Sequence, residues 1–106
     1  MEANSPNMPQ LSERIDQLRK TLAKYPASPE NQSLLSLHIY EILKGYRMYV
    51  SYFEELLTLR QDPEDEREQF LDILSKIDVL SDDMQYHLAE LRVQIDKFLD
   101  AAEPDP

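Results

Sequence analysis

Apolar residues along this chain recur at alternating steps of four and three, the spacing that keeps them on one side of a helix packed along another. The clearest run lies between Leu34 and Leu59, where Leu35, Ile39, Ile42, Tyr46, Tyr49, Phe53 and Leu56 follow it without a slip. A second run, Phe70, Leu74, Ile77, Ser81, Met84, Leu88, Leu91, Ile95 and Phe98, keeps the same steps with Ser81 as its polar member. A shorter run of Leu11, Ile15, Leu18 and Leu22 precedes both. The pattern predicts an all-α chain with helices over about 9–25, 29–61 and 63–101.

The breaks between the runs carry their own signals. Pro26 and Pro29 cannot continue the first helix, and Ser28 offers a side-chain cap with Pro29 and Glu30 in the first turn that follows. Asp62-Pro63-Glu64-Asp65-Glu66 repeats that start signal, which places a tight reversal at Gln61 and Asp62. Ser81-Asp82-Asp83 also has the chemistry of a cap, but the apolar register passes through it unshifted, so a single last helix is predicted. Residues 1–8 read as a disordered segment, 9–101 as one helical bundle domain and 102–106 as an acidic tail.

Folded back on each other, the two long helices share one register. It pairs Phe53 with Phe70, Tyr49 with Leu74, Tyr46 with Ile77, Ile42 with Ser81, Ile39 with Met84 and Leu35 with Leu88. The predicted fold is therefore a short N-terminal helix plus a long antiparallel helical hairpin of about 50 Å. The first helix reaches back only to about Leu43 and is expected to cover the end of the hairpin, over residues 31–45 and 79–92. Val50, Tyr52, Leu57, Leu59, Leu71 and Ile73 at the hairpin tip are then left without a cover. Such a patch predicts that dimerisation completes the bundle, with those six residues as the self-interface. Gly45 lies at the edge of the seam, where a missing side chain admits a close neighbour.

Composition narrows the function. A single Gly leaves few of the turns that hairpin-rich β folds need, and the absence of Cys removes disulfides and thiolate sites. No apolar run approaches a membrane span, so a soluble, cytoplasmic protein without membrane contact is expected. The net charge of −10 is uneven: residues 1–61 hold seven acids and seven bases, and residues 62–106 hold fourteen acids and four bases. That sign argues against direct nucleic-acid binding. It suggests instead a basic protein, or an amphipathic helix, as outside partner for an acidic face of Glu64, Asp65, Glu68, Asp72, Asp82 and Asp83.

Candidate chemistry is sparse. His38 and His87 occupy matching edges of the hairpin and should lie side by side, with Asp83 one turn before His87. Two histidines and a carboxylate are weak metal candidates, because di-metal bundles place Glu three residues before His and add further inward acids. Glu54-Glu55 with Glu64 and Glu68 is only partly similar to the magnesium-holding helices of all-α nucleotide pyrophosphohydrolases, since the third carboxylate is missing. No glycine-rich phosphate loop exists. The expectation is a non-enzymatic, cofactor-free interaction module: a homodimeric adaptor, assembly factor or small chaperone. The alternative is an acidic mimic of nucleic acid that inhibits a basic partner.

Overall fold

A computed structural model describes residues 8–59 and 66–102, with side chains from Gln10 onward. It is an all-α, three-helix bundle built from one chain: α1 (Met8–Leu22), α2 (Pro29–Thr58) and α3 (Arg67–Ala102). The predicted turn at Gln61 and Asp62, the acids Glu64 and Asp65, and most of both expected tails lie outside the described residues. Helix α1 already begins at Met8, inside the expected N-terminal tail, and α3 runs through Ser81, Asp82 and Asp83 without a break.

Local sequence explains the start of α2. Ser28 is extended, and its hydroxyl accepts from the Asn31 backbone N–H at 3.0 Å, a cap that contributes about 1 kcal/mol. Pro29 fills a first-turn position whose N–H has no helical partner in any case. The Gln32 side chain then donates to the Ala27 carbonyl at 2.9 Å and ties the connection to the helix. Helix α1 stops at Leu22, short of the expected 25, and Tyr25 packs edge-on against Phe98 at 5.4 Å.

The arrangement is flat. Helix α1 packs on α2, α3 packs on α2, and α1 and α3 do not pack on each other among the described residues. The extents of 65 × 30 × 19 Å correspond to three helices abreast and less than two helix diameters in depth. The radius of gyration, 18.4 Å, is well above the roughly 13 Å of a compact chain of this length. The expectation that α1 would lie over the α2–α3 groove is corrected. Arg19 donates to Ser36, on the side of α2 away from α3, so α1 extends the layer instead of capping it.

Helices α2 and α3 run antiparallel: Asn31 meets Gln94, His38 meets His87, Gly45 lies against Met84 and Tyr49 bonds Ser81. The predicted register is wrong in detail. Tyr49 was expected on Leu74 and reaches Ser81, and Met84 was expected on Ile39 and sits at Gly45. Both helices are rotated by one position. The row Leu35, Ile42, Tyr49 still faces α3, but its companion row is Asn31, His38, Gly45 and not Ile39, Tyr46, Phe53. On α3 the companion row is Ile73, Leu80, His87, Gln94 and not Leu74, Ser81, Leu88, Ile95. Periodicity shows which rows avoid water but not which neighbour each row meets.

Candidate interaction surface

The buried seam holds polar rows whose members bond across it. Asn31 Nδ2 donates to the Gln94 carbonyl at 3.0 Å and to Gln94 Oε1 at 2.8 Å, while Asn31 Oδ1 stays buried without a hydrogen-bond partner among the described residues. His38 Nδ1 lies 2.9 Å from His87 Nδ1, and His87 Nε2 lies 3.4 Å from Asp83 Oδ2. One Nδ1 donates to the other, the direction being set by the tautomers of the two rings. The side-by-side histidines expected from the sequence are thus present, and their Nδ1 atoms are spent on each other. Among the described residues no group of three His, Asp or Glu side chains is placed to hold a metal ion. Gly45 closes the same seam, since a Cβ there would collide with Met84 Sδ.

The rotation that buries these rows turns two apolar rows outward on one side of the layer. Tyr46, Phe53, Leu74, Leu88 and Ile95, all expected inside, are exposed, with Tyr46 at 62 %. Tyr49 ties the two rows to one side, because its ring stacks on Phe53 at 5.6 Å while its hydroxyl donates to Ser81, which lies in the row of Leu74 and Leu88. Leu43 and Val50 continue the surface toward α1, where they line a groove of about 620 Å³ with Leu11, Ile15 and Leu18. Leu57 ends it at 84 % exposure. Ile39, Tyr46, Phe53 and Leu57 follow one another along α2 with no charged residue among them, and charge returns at the α1 edge, where Arg14, Arg47 and Glu54 also line the groove.

The predicted self-interface divides. Val50, Leu57 and Leu71 are exposed, and Tyr52 and Leu59 are half-buried. Ile73 is only 2 % exposed, so it belongs to the α2–α3 core and is closed to a second chain. The reason is the rotation of α3, which carries Ile73 under α2. Residues of the wider apolar surface escaped the sequence reading because they had been assigned to the internal seam. The available signal was the width of the uncharged arc on α2, broader than one neighbour covers.

The opposite side of the layer is charged. Lys44 pairs with Glu41 at 3.4 Å and Lys76 with Asp72 at 3.1 Å. The hydrogen bond from Lys76 to Asp72, reinforced by their opposite charge, raises the Lys76 pKa above its ordinary value. Of the predicted acidic face, Glu68, Asp72, Asp82 and Asp83 are exposed, with Asp72 and Asp83 turned to Lys76 and His87. Glu64 and Asp65 lie outside the described residues. No described helix is long and apolar enough to cross a membrane. The chain matches no protein-family model, no curated protein and no solved structure.

Proposed function

We propose that this protein is a non-enzymatic protein–protein interaction module that works as a homodimer, in the manner of an adaptor, assembly factor or small chaperone. The observation that carries this reading is the exposed apolar face of α2 and its continuation on α3. Five residues of α2 (Leu43, Tyr46, Val50, Phe53, Leu57) and four of α3 (Leu74, Leu88, Ile95, Leu99) are exposed on or beside it. At about half of a full side chain each, they present roughly 800 Å². Monomers rarely show an apolar patch above about 600 Å², and a stable complex buries about 800 Å² per partner. A second copy laid face to face converts two flat layers into a bundle with a closed core.

The interface proposed here runs along the layer and is not confined to the tip. Light scattering of the native chain and of Tyr46→Glu tests it, since Tyr46 is exposed and its replacement leaves the chain's own core intact. The expected result is a native mass of twice 12.5 kDa and a folded monomer for the variant. A native monomer at micromolar concentration, or a variant that stays dimeric, overturns the reading.

A further inference from the structure

The charged side of the layer holds a second feature that self-association through the apolar face leaves open. Between α2 and α3 lies a groove of about 520 Å³, with Met48 and Tyr52 on one wall and Val79 and Leu80 on the other. Beyond the groove, Val79 is followed along α3 by Tyr86 and Val93, the three exposed by 69 %, 58 % and 43 %. These three recur every seven residues, the repeat by which one helix lies along another, and they span about 21 Å. No described helix covers them.

The charges beside this row say what fits it. Lys44 and Lys76 are each already paired with a carboxylate of their own helix. Asp82, Glu90, Asp96 and Asp100 flank the row on α3 without an ion pair among the described residues, against two unpaired bases, Arg92 and Lys97. A second copy brings more carboxylate, since the chain carries 21 acids and 11 bases. A partner with cationic flanks gains where a second copy is repelled.

We propose that this groove seats an amphipathic helix of another protein, with apolar residues at heptad spacing against Val79, Tyr86 and Val93 and with lysine or arginine on its flanks. The site deepens the interaction-module reading by assigning the outside partner to the face opposite the self-interface. The binding mode is a helix laid in a groove, with the apolar row supplying affinity and the acids supplying orientation.

Fluorescence anisotropy with two designed peptides of about three heptads tests it, one with leucine on the seam and lysine on the flanks, the other with glutamate in place of lysine. The lysine peptide is expected to bind the native protein and the glutamate peptide to fail. Val79→Ser combined with Val93→Ser, both at exposed positions, should weaken binding about tenfold with the helical circular dichroism unchanged. Asp82→Lys with Asp96→Lys should weaken it further and flatten its salt dependence. Tyr46→Glu on the other face should leave it unaltered. Equal binding of both peptides, indifference to the Val79 and Val93 changes, or loss in Tyr46→Glu alone overturns the assignment. Light scattering on the same samples keeps the two readings apart. A native monomer that still binds the lysine peptide through Val79 and Val93 refutes only the dimer. A native dimer split by Val79→Ser with Val93→Ser makes this groove a self-interface and refutes the outside helix.

Discussion

The two open sides of α2 share one backbone and face solvent in opposite ways. On one side Ile39, Tyr46 and Phe53 follow each other with no charge between them, and across the seam Leu74, Leu88 and Ile95 extend the same surface. On the other, Glu41, Lys44 and Glu55 alternate with Leu37 and Met48, and ion pairs such as Lys76–Asp72 hold water close. A flat layer cannot bury both sides of its central helix, and here one side is left apolar and the other charged. The lesson concerns architecture more than composition. At 42% hydrophobic content the chain has enough apolar residues for a closed bundle, and it is the position of α1, beside α2 and away from α3, that leaves them outside.

That contrast can be broken from the core outward. Ile73→Ala removes a side chain fully buried in the seam and should cost about 3 kcal/mol in denaturant unfolding, because Ile73 supports both faces at once. An effect as small as that of an exposed residue would place Ile73 at an interface with a second chain instead. Tyr46→Glu with Phe53→Glu, on the dry side, should raise the dimer dissociation constant at least about 100-fold in sedimentation equilibrium, near 2.7 kcal/mol. The matching change on the wet side, Val79→Glu, should leave that constant within about threefold, and equal effects would erase the distinction between the faces.

The seam between the faces gives smaller, sharper tests. His38→Leu strands the Nδ1 of His87 in a half-buried position and should lower stability by about 2 kcal/mol, while His38→Leu with His87→Leu should recover much of it. Additive losses in that cycle would show that the two rings do not depend on each other. Gly45→Ala brings a gain in helix propensity of about 1 kcal/mol against the displacement of a buried Met84, and we expect a net loss of about 1 kcal/mol. Stabilisation would mean that Met84 moves freely and that the close approach of α3 is not tight.

Much of the fold was legible in residue order. The Ser28 cap, Pro29 in the first turn, the unbroken helix through Ser81 and the meeting of His38 with His87 all follow from local chemistry or from position along two antiparallel helices. The site was less legible. Each long helix has one row that faces its partner and two candidate companion rows, one apolar and one mixed. Reading the apolar row as buried is sound for a chain that folds alone, and here it placed Tyr46 and Leu88 inside when both are outside.

The sequence by itself determined the three helices, their ends within a few residues and the excess of acid on α3, because caps, prolines, apolar spacing and charge act locally. Only the tertiary structure decided the rotation of α2 and α3 about their axes and the placing of α1. Rotation depends on pairs that no local pattern reveals. Asn31 accepts burial only because Gln94 answers it, and α3 comes close only because Gly45 leaves room for Met84.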